Sequence, residues 1–167
     1  MIAIMINFLN YFIENDGQWP DDILFVSIDS RIVLTGDGII LDGEKLNFMN
    51  AGNATHIRGI DIQSGTVNYF VGNSPDRWKT GIPLYRGVKY ENLYRGVDLT
   101  VWNLRDGQVS LQWTVHPGAD CGDIEMDVRG DNLVNDILQS VRAYQGADEV
   151  EIEIVHRGNT LKFRVGE

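Results

Sequence analysis

Apolar and polar residues exchange at every second position along most of this chain, and few folds accept that period. The pattern is clearest where Val97, Leu99 and Val101 alternate with Asp98, Thr100 and Trp102. After a turn at Arg105-Asp-Gly107, Val109, Leu111, Trp113 and Val115 alternate with Gln108, Ser110, Gln112 and Thr114. Successive side chains of a strand point to opposite faces, so each row defines one buried and one outer surface. Ile23 to Ile28 is a nearly continuous apolar run, as a strand covered on both faces requires. Turn signals at Thr35-Gly-Asp-Gly38 and Asp42-Gly43 separate Arg31–Leu34, Ile39–Leu41 and Lys45–Met49, with Leu46 and Phe48 on one face. Asp-Gly between apolar runs is the composition of type I′ hairpins, whose central residues both need positive φ.

Residues 50 to 65 read as a Gly-, Asn- and Ser-rich loop with a short strand near Ile57 to Ile62, followed by a strand over Thr66–Val71. Gly72-Asn-Ser-Pro-Asp76 breaks the chain, with Asp76 capping a short turn that carries Trp78. The stretch Trp78 to Gly118 holds three of the four Trp and three of the six Tyr residues, and is expected to form the core. Ile124, Met126 and Val128 alternate with acidic residues, and Leu133 to Ser140 is the one segment with helical character. A last hairpin sets Val150, Ile152 and Ile154 against Leu161, Phe163 and Val165. Glu149, Glu151 and Glu153 there oppose Lys162 and Arg164, a charge match that favours one register.

The expected fold is all-β: an antiparallel sandwich, or a partly open barrel, of many short strands joined by hairpins. The length of 167 residues accommodates one domain over 1–167, with residues 1–12 as an N-terminal strand or short helix. The apolar start has no basic flank and no small-residue cleavage site, and Asn7 and Asn10 interrupt it too early to span a bilayer.

A formal net charge of -10 argues against nucleic acid and anionic membranes as partners, since phosphate needs Lys and Arg to neutralise it. Cys121 is the only cysteine, so no internal disulfide forms; it lies after a turn with no His or Cys near in sequence and reads as inert. His56, His116 and His156 are scattered, and no nucleophile elbow, phosphate loop or dinucleotide fingerprint occurs. No cofactor is expected. Calcium is the single candidate, through Asp120, Asp123, Asp127 and Asp131, whose spacing matches no EF-hand and reads more simply as a solvated edge. Asn53-Ala-Thr55 is an acceptor sequon that matters only in an exported chain.

The blocks Phe12-Ile-Glu-Asn-Asp-Gly-Gln-Trp19, Val67-Asn-Tyr-Phe-Val-Gly-Asn73, Trp78-Lys-Thr-Gly-Ile-Pro83, Leu93-Tyr94 with Gly96-Val-Asp-Leu99, and Pro117-Gly-Ala-Asp120 occur in this order. With Tyr85, Val88, Tyr90, Ala143-Tyr-Gln145 and the last hairpin, they resemble a domain of unknown function at the N-terminus of secreted bacterial and archaeal surface proteins. In those proteins it precedes seven-bladed β-propeller repeats. The resemblance implies an extracellular or cell-surface, non-catalytic module whose partner is a protein or a downstream domain. This chain departs from the pattern at Ser110 and Gln112, where the family tends to place acidic residues, and Leu133 to Gln139 is shorter than usual. No propeller repeats follow Glu167, so the chain stands as a fragment or as a stand-alone version.

Three functions remain open at this point. The first is a structural, docking or adhesion role. The second is glycan binding, for which Trp78, Tyr85, Tyr90 and Trp102 are the candidate platforms, with Asp98 beside Trp102. That reading requires Trp102 and a Tyr to lie coplanar and exposed. The third, glycoside chemistry, requires a second carboxylate facing Asp98 across a cleft. The competing roles are core packing for the aromatics and a hydrogen bond to the turn around Tyr94-Arg-Gly96 for Asp98.

Overall fold

The computed structural model describes residues 11–52, 54–70, 72–103, 109–128, 149–156 and 159–166, with the backbone alone for residues 121, 127–128 and the last two spans. Among these residues lie twelve strands. They are β1 (Phe12–Glu14), β2 (Ile23–Ser27), β3 (Ile32–Thr35), β4 (Gly38–Leu41), β5 (Glu44–Phe48), β6 (His56–Tyr69), β7 (Lys79–Tyr94), β8 (Val97–Asn103), β9 (Val109–Val115), β10 (Met126–Val128), β11 (Glu149–His156) and β12 (Asn159–Gly166). They form one sheet in the order β10-β5-β4-β3-β2-β1-β7-β8-β9-β12-β11, with β6 also paired to β7, and the sheet curls into a half-barrel. The all-β fold expected from the alternation is the observed one.

The long strand β7 organises this sheet. One of its edges is covered by β6 from His56↔Glu91 to Tyr69↔Lys79. Its other edge is shared: Leu84 and Tyr85 pair with Ile13 and Phe12 of β1, and Gly87 to Tyr94 pair with β8. Two wings therefore leave β7, and their apolar faces meet. The main core takes Phe12, Phe25, Leu34, Ile39 and Phe48 from one wing and Val88, Tyr90, Leu99, Leu111 and Trp113 from the other, all buried. A smaller core on the opposite face holds Ile13, Ile82 and Leu84, with Trp19 and Tyr69 packed on it edge to face. The alternation along β7 changes phase at the branch. Leu84 belongs to the small core, whereas Val88 and Tyr90, at the same parity, belong to the main one.

Tyrosine hydroxyls tie the wings together. Tyr90 donates to the Thr35 carbonyl at 2.8 Å, and its ring meets Phe48 edge to face. Tyr94 donates to the carbonyls of Met49 and Glu125. Burial raises both phenols above their ordinary range, Tyr94 to about 12, so both remain donors at neutral pH.

Four expectations need correction. Residues 50–65 are not a loop with a short strand: His56–Tyr69 is one 14-residue strand, because pairing with β7 holds its register past Asp61, at φ 55°, and continues through the irregularities at Gln63/Thr66 and Val67/Tyr69. Of the two hairpin turns, Asp42-Gly43 has the type I′ positive φ at both residues. The Gly36-Asp37 turn is instead held by the Thr35 hydroxyl on Asp37 and by Lys45 on the same carboxylate. Pairing is antiparallel except between β9 and β12, which run parallel from Leu161↔Val109 to Gly166↔Thr114. Asp76 lies inside a 3-10 turn, Pro75–Arg77, whose N-cap is Ser74.

Glu151 pairs with Arg164 and Glu153 with Lys162 in the backbone register of the last hairpin, as the charge pattern anticipates. The helical reading of 133–140 and the turn at 105–107 lie outside the described residues, as do residues 1–10.

Candidate functional site

The outer face of β7, β8 and β9 brings together Lys89, Asp98, Thr100, Trp102, Ser110, Gln112 and Thr114, because paired residues share a face and the registers are Lys89↔Thr100, Thr100↔Gln112, Asp98↔Thr114 and Trp102↔Ser110. His116 adjoins this group just beyond the end of β9. Asp98 is its buried charge, 6% exposed. Its Oδ1 accepts the backbone N–H of Asn92 at 2.7 Å, and its Oδ2 accepts from His116 Nε2 at 2.8 Å and lies 3.4 Å from Lys89 Nζ. Burial alone would push the carboxyl up; the Asn92 N–H, His116 and Lys89 together outweigh it and hold the group below the usual carboxylate range.

This arrangement clamps a turn. Asn92, at φ 54°, accepts the Gly96 N–H on its side-chain oxygen, and the His116 N–H returns to the Gly96 carbonyl. Asp98 thus joins the β7–β8 connection to the exit of β9, next to the turn for which the competing role was suggested. The groups on its oxygens are an amide, an imidazole and an ammonium, and among the described residues no carboxylate faces Asp98 in the paired arrangement that glycoside hydrolysis uses.

A pH prediction follows. A depressed folded-state pKa contributes stability above the unfolded value near 4, lost as pH falls through the folded one. Asp98→Asn is expected to lower stability at pH 7 by about 1–3 kcal/mol, since the buried carboxylate that accepts from Asn92 and His116 and faces Lys89 is replaced. The gap to the wild type should narrow below about pH 4. Urea midpoints at neutral and acid pH measure it; a gap that stays constant with pH would remove the clamp.

Trp102 is half-buried on this face. Its Nε1 donates to Gln112 Oε1 at 2.9 Å, and its ring covers Gly87, where a Cβ would lie 2.7 Å from the indole. The other aromatic candidates are elsewhere. Tyr90 is fully buried and cannot serve as a platform, because it fills the space between the wings. Tyr85 is half-buried, edge to face with Phe25 and lying over Gly59. Trp78, expected in the core, is 39% exposed and directly follows the 3-10 turn. Its ring stands at 85° to that of Phe70, itself 61% exposed, and its Nε1 donates to the Gly72 carbonyl. The five candidate residues therefore divide: Asp98 and Trp102 share a face, while Trp78, Tyr85 and Tyr90 do not join them. Among the described residues no coplanar, exposed Trp102–Tyr pair is formed.

Sequence reasoning missed Lys89 and His116 as partners of Asp98, and Phe70 as partner of Trp78. The β8–β9 register would have found His116, two residues beyond the pairing partner of Asp98. Among the described residues no group of three or more His, Cys, Asp or Glu is placed to hold a metal ion; Asp120 instead accepts the Gly122 N–H. Asp127 has only its backbone described, and Asp131 lies outside the described residues. No helix among the described residues is long and apolar enough to cross a membrane.

No curated protein and no solved structure matches the chain. The profile of one family matches residues 40–140, a span that takes in β5 to β10 and with them the Asp98 clamp, Trp102 and the Phe70–Trp78 pair. The chain belongs to the family described as Domain of unknown function (DUF7948).

Proposed function

We propose that this chain is a non-catalytic β-domain of an extracellular or cell-surface protein, with a structural, docking or adhesion role toward a downstream domain of the seven-bladed β-propeller repeat type. The observation that carries this reading is the Phe70–Trp78 corner. Two large aromatics stand exposed and in mutual contact at the end of β6, where solvent would ordinarily disfavour them. Beside them the second edge of β6 has no strand partner among the described residues, and Ile62 on the same strand is 64% exposed. Asp61 and the two irregularities interrupt that edge and discourage indiscriminate strand addition, which favours side-chain docking at the aromatic corner. The order of the motif blocks supports the secreted, propeller-associated setting.

The test is association with a purified seven-bladed propeller repeat array, followed by sedimentation and calorimetry. Binding is expected, and Phe70→Ser with Trp78→Ser should weaken it at least about tenfold while leaving the melting temperature nearly unchanged. Absence of association, or association indifferent to both substitutions, would sink the docking surface.

Glycan binding is kept as a second reading on one observation: the half-buried Trp102 shares a polar face with Lys89, Thr100 and Gln112. A thermal-shift screen with polysaccharide fragments tests it. A rise in melting temperature abolished in folded Trp102→Ala would put the glycan reading ahead.

A further inference from the structure

A groove of about 410 Å³ lies between the β1–β2 connection and the start of β6, outside the faces described above. Leu24, Phe25 and Ile57 give it apolar lining, and Glu14, Asp21 and His56 contribute polar groups. Its size is that of pockets that hold small ligands or single large side chains.

The connection that forms one wall is built by a single side chain. Asn15 donates from Nδ2 to the carbonyls of Trp19, Pro20 and Ile23, and its Oδ1 accepts the N–H groups of Gly17 and Trp19. Gln18 adds a reciprocal pair, accepting the Asp16 N–H and donating to the Glu14 carbonyl. The wall is thus set before any ligand arrives, which removes an ordering cost from binding.

The charges around the groove are unevenly matched. Glu14 and Asp21 are exposed and make no ion pair among the described residues. The basic side chains nearby are already engaged: Arg58 lies 3.0 Å and the His56 ring 3.9 Å from Glu91, and Lys79 lies 3.8 Å from Asp16. The carboxylate of Glu14 also makes itself felt across the wall, where its charge adds to burial in raising the Tyr85 phenol.

Apolar lining with unpaired carboxylates complements a long aliphatic side chain that ends in a cation. The net charge of -10 steers basic partners toward the molecule. We infer that the groove between Glu14–Phe25 and Ala54–Ile57 receives a lysine or arginine side chain from an extended segment of a partner protein. The inference rests on the docking reading and adds to it the chemistry of the partner.

The test follows backbone amide shifts of the full chain on titration with short acetylated, amidated peptides of valine and serine around a central lysine, norleucine or glutamate. The lysine peptide is expected to shift the amides of Glu14–Phe25 and Ala54–Ile57. Its binding should fall about tenfold in the double variant Glu14→Gln, Asp21→Asn, as in high salt, and the norleucine peptide should lose a similar factor. Equal shifts from the lysine and glutamate peptides, unchanged binding by the double variant, or shifts confined to other surfaces would each overturn it. A polysaccharide fragment or a second copy of the chain occupying the groove would do so too. The same double variant in the propeller association assay separates the two ideas. Association intact while the peptide fails to bind removes the groove alone, whereas loss of association through Phe70 and Trp78 concerns docking and leaves the peptide result unaffected.

Discussion

Trp113→Ala is expected to destabilise the domain by about 3–5 kcal/mol, the largest effect of any single truncation considered for this core. Trp113 is 1% exposed at the middle of β9, paired with Leu99 and packed against Tyr94 at a centroid distance of 6.1 Å. Its Nε1 has no hydrogen-bond partner among the described residues. An unpaired buried N–H costs about 1–3 kcal/mol, so truncation removes a penalty together with the packing, and the result should fall toward the lower end of the range. Trp113→Phe separates the two contributions: it keeps an aromatic ring, deletes the orphan donor, and should cost about 1 kcal/mol or less. Urea midpoints of the two variants decide the matter. If alanine costs no more than phenylalanine, the two wings do not meet around this side chain.

Gly38→Ala is expected to cost about 1–3 kcal/mol, although glycine-to-alanine changes often stabilise a chain. A Cβ at Gly38 would lie 2.4 Å from the Leu46 carbonyl oxygen and 3.3 Å from its carbon, with Lys45 Cε at 2.9 Å. The lysine can move aside; the backbone of β5 cannot without losing the Gly38↔Asn47 and Ile39↔Leu46 pairs. Gly36, two residues earlier in the same turn, has nothing within 4 Å of its Cβ position. Gly36→Ala should therefore be neutral or slightly stabilising. Similar thermal midpoints for the two variants would show that close approach of β5 is not what Gly38 serves.

The strands were legible wherever local pattern and local partner coincide. Val97, Leu99 and Val101, and Val109, Leu111 and Trp113, are buried as the alternation marks them, and the Asp42-Gly43 hairpin closes as its composition requires. The site was legible only in pieces. Asp98 and Trp102 were marked by sharing a face, but the partners of Asp98 come from Lys89 on the preceding strand and His116 beyond the next, and only register unites them. Trp78 illustrates the converse: its size suggests burial, yet its place after the 3-10 turn leaves it outside both cores.

From its own residues the chain determined an all-β fold, most strand positions, the charge-matched last hairpin and an acidic surface, because each depends on period two, turn chemistry or composition within a few residues. The tertiary structure decided which wing each strand joins, the branch at β7, the parallel β9–β12 pair, the clamp on Asp98 and the groove beside Glu14 and Asp21. These depend on contacts between different strands, from 6 positions apart in the clamp to several tens elsewhere. Alternation says which side of a strand is apolar, and it carries no information about which other apolar surface will cover it.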